Sequence, residues 1–220
     1  MTGLINIAVG ILNYRLFTHQ LNQTPSVKFQ LKVTTYALSA LLCLALLFSQ
    51  NLLHGWEQAV YDDRVILSQQ TPYQTIVLTK HKADLRLFIN GNLQFSAIDE
   101  YRYHEPLIHI PAALSPHLEN VLILGGGDGL AARELLKYPS IQSITLVDLD
   151  PAITQLAKNN PLFRSLNNDS LHDDKVHVVL DDAMKFLERD TQYYDLIIAD
   201  LPDPNNTSLA RLYSRAFYQL

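Results

Sequence analysis

Glycines and a carboxylate that could bind a nucleoside stand at two linked points of the chain. An apolar run from Val121 ends in GGGDG at Gly125–Gly129, and a helix-compatible stretch follows. About twenty residues later a second apolar run ends in Asp148, which completes the pattern of a nucleotide-binding βαβ unit. In such units the glycines let the backbone approach the ligand, and the acidic side chain binds ribose hydroxyls. The spacing therefore predicts nucleoside binding by Gly125, Gly127 and Asp148.

Asp128, inside the glycine loop, narrows the choice of nucleoside. Dinucleotide sites place a phosphate at this helix start, where backbone N–H groups and the helix dipole favour anions. A carboxylate here would repel a phosphate, and also the carboxylate of S-adenosylmethionine, but it would attract an amine. Alternatively, Asp128 only caps the helix that follows. The residues alone leave both interpretations open.

Carboxylates follow four successive predicted strands, at Asp128, Asp148, Asp182 and Asp200. Ligands of open parallel sheets bind beyond the carboxyl ends of the strands, so these side chains are expected on one rim. Clustered like charges are costly unless a cation neutralises them, which favours a cationic ligand. A metal ion is the competing cation. No metal site is predicted, because the sequence places no histidine beside these carboxylates.

The elements that must position these residues form two predicted domains. Alternating helix and strand patterns over residues 118–220 predict an α/β, Rossmann-like parallel sheet, with a helix over Pro151–Asn159 and a polar loop from there to Asp174. Residues 60–111 predict a small antiparallel β domain. Its strongest feature is the two-residue hairpin turn Asn90-Gly91, and a helix is expected from Asp99 onward.

Two apolar segments precede these domains. Residues 1–17 read as part of an apolar membrane helix, and residues 33–54 as a transmembrane helix, because positions 33–53 carry no charged side chain. Trp56 follows the run in the place of an interfacial anchor. A cell-membrane location, with single or multiple spans, and a cytoplasmic catalytic domain are expected.

The composition excludes several classes of protein. The 220 residues carry a formal net charge of -5, which argues against a nucleic-acid partner. The single cysteine, Cys43, excludes an internal disulfide framework.

From Ser68 to the C-terminus, the chain resembles the polyamine aminopropyltransferases, the spermidine synthase family. The resemblance rests on Tyr73-Gln74, NGNLQFSAIDEYRYHE at Asn90–Glu105, the glycine loop with Asp148 and Asp182, and DLPDP at Asp200–Pro204. The apolar N-terminus is similar to the variant in which the synthase domain follows several membrane helices.

The resemblance implies aminopropyl transfer from decarboxylated S-adenosylmethionine to a diamine, usually putrescine, giving spermidine and methylthioadenosine. It implies no metal or other cofactor, and a homodimer is possible. Asp200, aided by Tyr103, would accept a proton from the attacking amine. The implied donor-binding residues are Gln74, Gly125, Gly127, Asp128, Asp148, Asp182 and Ala183, and the implied polyamine-binding residues are Tyr103, His104, Asp128, Asp200 and Asp203.

The chain departs from the family pattern in ways that limit these expectations. Asn205-Asn206-Thr207 replaces the loop usual in soluble members, which leaves the preferred diamine open. The family continues beyond the position of Leu220 with further strands, so the sheet is expected to be incomplete and the chain truncated at both ends.

Two other functions stay open. One is an S-adenosylmethionine-dependent methyltransferase, against which Asp128 argues. The other is a non-catalytic, membrane-tethered fragment that binds polyamine or nucleoside. Among single residues, His104 could instead pack as an ordinary helix-face residue, and Asp99-Glu100 could only cap the helix that follows.

Overall fold

The computed structural model describes residues 9–14, 25–204 and 207–220, with side chains described except at 46–59 and 208. Most of the predicted apolar segment 1–17 and the loop residues 205–206 lie outside the described residues. The chain divides into two compact units, Met1–Asp62 and Asp63–Leu220.

In the first unit, the described residues up to Val60 are helical. Residues 9–14 are helical, and α1 covers Pro25–Val60, which is longer than the predicted helix over 33–54. Several apolar side chains of α1 are exposed, among them Phe29, Leu38 and Leu41. Within the described parts of the chain, no helix combines the length and apolar character needed to cross a bilayer. The predicted transmembrane helix gains no support from this finding.

The second unit begins with an antiparallel sheet of four strands in sequence order. Its strands are β1 (Arg64–Gln70), β2 (Thr75–His81), β3 (Asp84–Ile89) and β4 (Asn92–Ser96). The predicted hairpin is confirmed, since Ile89 pairs with Asn92 across Asn90 and Gly91. Both turn residues have positive φ, 50° and 81°, as the Asn-Gly pair favours.

A parallel four-stranded sheet follows, which confirms the predicted α/β fold. Its strands are β5 (Asn120–Gly125), β6 (Ser143–Asp148), β7 (Val176–Leu180) and β8 (Leu196–Asp200). The spatial order is β7-β6-β5-β8, so the chain builds outward from β5 on one side and then returns to pair β8 on the other. The strand order therefore reverses between β5 and β8, where open α/β sheets bind their ligands.

Six helices accompany the two sheets of the second unit, within the residues described. They are α2 (Tyr101–Leu114), α3 (Leu130–Leu135), α4 (Pro151–Asn159), α5 (Pro161–Asn167), α6 (Ala183–Arg189) and α7 (Thr207–Ala210). One hydrophobic core joins the sheets through α2, because Ile108 of that helix is buried in the same cluster as Ile76 of β2 and Val121 of β5.

The predicted polar loop up to Asp174 is wrong in part, because α5 and a short 3₁₀ turn at Ser170–His172 form within it. Asn160 begins α5, and its side-chain oxygen accepts a hydrogen bond from the Leu162 N–H at 2.9 Å. Pro161 occupies the first turn, where its missing N–H costs nothing. Phe163 is fully buried and packs edge-on against Phe95 of β4. The buried ring of Phe163 thus anchors α5, a helix of seven residues that is too short for a helical pattern of apolar residues to be recognised in the sequence.

Candidate active site

The glycine loop and Asp200 meet at the point where the strand order reverses. Gly125 at the end of β5 pairs with Asp200 at the end of β8, and the Gly126 N–H donates to the Asp200 carbonyl at 3.2 Å. Gly125 has φ of 85°, and a Cβ there would lie 2.0 Å from that carbonyl oxygen. Only glycine fits this position, so the loop sequence determines how closely the two strand ends approach.

Asp148 stands on the other side of the same loop, at the end of β6. Its Oδ2 accepts a hydrogen bond from the Gly127 N–H, and its Oδ1 accepts one from the Asp150 N–H, both at 2.9 Å. Burial raises the pKa of Asp148 to about 6, although these two donors oppose the shift. The backbone therefore fixes this carboxylate where the βαβ pattern predicts a ribose ligand.

A turn of the antiparallel sheet is tied to the same rim. The Thr71 hydroxyl donates to Asp150 Oδ2 at 2.7 Å, and the Thr71 N–H donates to the Gln74 carbonyl at 2.9 Å. These bonds anchor the segment that carries half-buried Gln74 to Asp150, which lies two residues after Asp148 in the chain. The donor-binding role of Gln74 stays a prediction.

Three side chains from distant parts of the chain converge beside the glycine loop. A ring nitrogen of His104 and carboxylate oxygens of Asp128 and Asp200 all lie within 4.8 Å of one another. We call these residues the His–Asp–Asp cluster. The argument that no histidine stands beside the rim carboxylates is wrong, because α2 brings His104 there from an earlier part of the chain. His104 itself is buried.

Asp200 has the electrostatic character of a base in this cluster. Burial and, after it, the charge of Asp128 raise its pKa to about 6, although His104 and a hydrogen bond from Tyr103 act in the opposite direction. The Tyr103 hydroxyl donates to Asp200 Oδ1 at 2.9 Å. Burial, followed by the charge of Asp200, raises the pKa of Tyr103 well above its usual range. The Tyr103 hydroxyl thus keeps its hydrogen at neutral pH and donates it to Asp200, and the catalytic roles of both residues stay predictions.

Asp128 lies at the start of α3 and also belongs to the cluster, and its attraction for an amine stays a prediction. Its Oδ1 accepts a hydrogen bond from the Leu130 N–H at 2.9 Å at the start of α3, as a capping side chain does. The Asn167 amide donates to the Asp128 carbonyl at 3.0 Å and holds the loop. The carboxylate nevertheless belongs to the His–Asp–Asp cluster, so capping does not remove it from the site.

Asp182 and Ala183 begin α6 beyond the end of β7. One oxygen of Asp182 accepts hydrogen bonds from the Met184 and Lys185 N–H groups at 3.1 and 3.2 Å. The other oxygen is paired with the guanidinium of Arg211. Both oxygens of Asp182 therefore already have partners, and its donor-binding role stays a prediction. Sequence reasoning missed Arg211, because nothing local links it to a carboxylate 29 residues away.

The segment after Asp200 is held by a residue that the sequence did not single out. The Tyr213 hydroxyl shares its single hydrogen between the carbonyl oxygens of Leu201 and Pro202, both at 3.0 Å. Burial raises the pKa of Tyr213, and the charge of Asp203 adds to that shift. Asp203 is exposed, and its predicted polyamine contact stays a prediction.

Glu100 also has a different place from the one expected. It begins α2, but its side chain makes no capping hydrogen bond, so the capping interpretation is wrong for this residue. The carboxylate instead contacts His104 Nδ1 at 2.9 Å and forms an ion pair with Arg133.

The part of the chain that carries this site matches a known protein family. The family described as "Spermine/spermidine synthase domain" matches residues 100–220, which include the glycine loop, α2 and all four parallel strands. The chain belongs to the spermine/spermidine synthase family.

Curated relatives from this family match along the whole chain. A polyamine aminopropyltransferase of Oceanobacillus iheyensis is 43% identical over 220 residues, covering 100% of this chain and 42% of the relative. One from Leptospira interrogans is 43% identical over 216 residues, covering 98% of this chain and 43% of the relative. The chain thus spans about two fifths of the length of these relatives.

Solved structures of the family share the fold. A spermidine synthase in complex with the transition-state analogue AdoDATO has a TM-score of 0.66 and 29% identity, over 71% of this chain and 53% of its own. The spermidine synthase from Thermotoga maritima has a TM-score of 0.64 and 30% identity, over 71% of this chain and 52% of its own. The similarity supports the joint assignment of the antiparallel and parallel sheets to the synthase fold.

Proposed function

We propose that this chain carries the reaction centre of an enzyme that transfers an aminopropyl group from decarboxylated S-adenosylmethionine to putrescine. The products are spermidine and methylthioadenosine. The observation that carries the proposal is the His–Asp–Asp cluster, directly beside a nucleoside-type glycine loop. Membership of the spermine/spermidine synthase family and the names of the relatives support it.

The dimensions of the cluster suit an alkylammonium group. Three acceptors at about 2.8 Å from an ammonium nitrogen, along its three N–H bonds, stand about 4.6 Å from one another. The cluster atoms lie within 4.8 Å of one another. Both substrates carry such groups, and burial strengthens their attraction to Asp128 and Asp200 relative to open water. This favours an amine-bearing donor over intact S-adenosylmethionine, whose carboxylate the cluster would repel.

The proposed reaction needs one base and accurate positioning. An amine nitrogen of putrescine attacks the propyl carbon next to the sulfonium, a C–N bond forms, and the C–S bond breaks. The sulfonium leaves as a neutral thioether and needs no acid. The proton released by the nitrogen passes to the Asp200 carboxylate, whose raised pKa suits that task. The remaining acceleration comes from holding the attacking nitrogen, the propyl carbon and the sulfonium sulfur in line.

Asp200→Asn tests the assignment of the base. Turnover of decarboxylated S-adenosylmethionine and putrescine is expected to fall by about 10²–10⁴. Affinity for methylthioadenosine, measured by calorimetry, should stay within about twofold, because Asp148 and the loop are unchanged. Asp174→Asn makes the same chemical change at an exposed carboxylate and serves as the control. Near-normal turnover by Asp200→Asn would remove Asp200 from the mechanism.

A methyltransferase is the alternative on the same fold, and Asp128→Asn distinguishes the two. We expect this variant to lose preference for decarboxylated over intact S-adenosylmethionine, because a neutral amide neither attracts the amine nor repels the carboxylate. The measurement is the ratio of the two dissociation constants. An unchanged ratio would leave Asp128 with its hydrogen bond to Leu130 as its only role. Methyl transfer at a rate above aminopropyl transfer would replace the proposed function.

A membrane location of the first unit is a separate proposal. It is supported by the charge-free run over residues 33–53 and by the exposed apolar side chains of α1. The second unit would then face the cytoplasm, where both substrates are made. Carbonate extraction of membranes tests the location, and a reporter fused after Gln70 tests the orientation. Release of the protein by carbonate would contradict the membrane location. A reporter active only outside the cytoplasm would contradict the proposed orientation. The expected homodimer can be tested by light scattering.

A further inference from the structure

A buried carboxylate lies directly behind the His–Asp–Asp cluster. The side chain of Glu100 is 6% exposed, and that of His104 is 3% exposed. His104 Nδ1 lies 2.9 Å from Glu100 Oε2 and 3.0 Å from the Glu100 carbonyl oxygen. Both partners only accept hydrogen bonds, so Nδ1 carries a hydrogen. The nitrogen left to face a ligand is therefore Nε2.

Arg133 of α3 holds Glu100 in this orientation. Its two terminal nitrogens donate to Oε1 and Oε2 of Glu100 at 2.8 and 2.9 Å. Arg133 is fixed in turn by Glu134 at 2.9 Å and by the Leu166 carbonyl at 2.8 Å. Glu100 cannot turn away from His104 without breaking a two-point, charge-assisted contact. The hydrogen bond from His104 Nδ1 to Glu100 thus fixes the orientation of the His104 ring.

We propose that Glu100 is a positioning residue that keeps the hydrogen of His104 on Nδ1, so that Nε2 offers a lone pair to an alkylammonium group in the cluster. An ammonium only donates hydrogen bonds, and an N–H at Nε2 would repel it. The same arrangement, a histidine whose second nitrogen donates to a carboxylate, orients histidines that bind metal ions in proteins. Here the ligand is an organic cation. The proposal rests on the proposed function, since it concerns the same amine site.

A purely structural role for Glu100 would not require this geometry. Arg133 also binds Glu134, which is 1% exposed and makes its other contacts to Lys137 and His109, away from the cluster. Glu134 therefore neutralises Arg133 without touching His104. Glu100 binds Arg133 and also directs an oxygen at Nδ1. This difference between two carboxylates on one arginine makes Glu134 a matched control.

The hydrogen position can be measured without any reaction. Protein labelled with ¹⁵N-histidine gives ring-nitrogen shifts that identify the tautomer, and His104→Gln assigns the resonances. Neutral His104 is expected to carry its hydrogen on Nδ1. A neutral His104 with its hydrogen on Nε2 would overturn the proposal. The tautomer is measured independently of turnover. A protein that makes no spermidine would contradict the proposed function, but the tautomer of His104 would still test the role of Glu100.

Binding of spermidine tests the consequence for the amine site. Glu100→Gln is expected to weaken spermidine binding about tenfold, with methylthioadenosine, which has no alkylammonium group, unchanged within about twofold. Glu134→Gln should leave both affinities unchanged. In a His104→Ala background, Glu100→Gln should change spermidine affinity less than about twofold, because the residue through which it acts is gone. An equal loss of both ligands, an equal effect of Glu134→Gln, or a full effect without His104 would each overturn the proposal.

Discussion

Replacement of Gly127 by alanine tests the donor side of the site. A Cβ at Gly127 would lie 2.4 Å from Asp148 Oδ2, 2.8 Å from its Cγ and 2.9 Å from Ile153 Cγ2. Ordinary contact begins at 3.4 Å, so the carboxylate oxygen must retreat by about 1 Å. The present 2.9 Å bond from the Gly127 N–H then lengthens toward about 3.5 Å or more, beyond the normal range.

The cost to binding follows from the hydrogen bond that the displaced Asp148 carboxylate can no longer make to a ribose hydroxyl. A hydrogen bond to a charged group contributes about 1.5–3 kcal/mol, which corresponds to a loss of affinity of about 10- to 100-fold. We expect Gly127→Ala to weaken methylthioadenosine binding by that factor, provided that Asp148 binds the ribose. Calorimetry with methylthioadenosine measures it, and the midpoint of thermal unfolding shows whether the fold is retained.

Gly10 provides the control for this substitution. It lies within the helical residues 9–14, and a Cβ there would have no neighbour within 4 Å. Gly10→Ala should leave methylthioadenosine affinity unchanged. If Gly127→Ala binds methylthioadenosine as tightly as the parent protein does, the position of the Asp148 carboxylate has no part in nucleoside binding, and the reasoning fails.

Three further predictions concern charge. The pKa of Asp148 and of Asp200 is raised to about 6 from 3.8, so the folded state binds more protons between these values. The free energy of unfolding should therefore fall as pH rises from about 4.5 to 6, and less steeply in Asp200→Asn, while kcat/KM should rise across pH 6. Thermal melts and a pH–rate profile measure the two effects. A melting temperature that rises over this interval would contradict the prediction. Arg211→Gln should strengthen methylthioadenosine binding about two- to fivefold by freeing Asp182, and weaker binding would mean that Arg211 itself holds the nucleoside. Exhaustive chelation should leave turnover unchanged; activity lost on chelation and restored by a divalent ion would put a metal in the His–Asp–Asp cluster.

The parts of the fold that local patterns encode were predictable from the sequence. β5, β6 and the Asn90-Gly91 hairpin follow from apolar runs and turn residues within a few positions. α5 did not, because its evidence is one buried ring, Phe163, whose partner Phe95 lies far away in the chain. Short elements fixed by a single distant contact carry no periodicity to read.

The residues of the candidate site likewise fall into those that local sequence patterns predict and those that depend on contacts formed only in the folded chain. The residues alone indicated Asp148 and Asp200, since each ends an apolar run. His104 entered through family resemblance, because on a helix it looks like any packed histidine. Glu100 and Arg211 were missed in these roles, because the partner that fixes each side chain is distant in sequence: Arg133 lies 33 positions from Glu100, and Asp182 lies 29 from Arg211.

The pairing of β5 with β8 has a consequence for the order in which the molecule acquires its chemistry. Asn120 of β5 contacts Asp195, 75 positions later, and the strands continue side by side to Gly125 and Asp200. Closing so long a loop is entropically expensive, and such contacts tend to form late in folding. A folding intermediate in which β6 and β7 have already joined β5 would have three strands of the sheet and a glycine loop, but no Asp200 beside it. Recovery of the proposed activity after refolding would thus report on the docking of the last strand, whereas helix content reports on the rest.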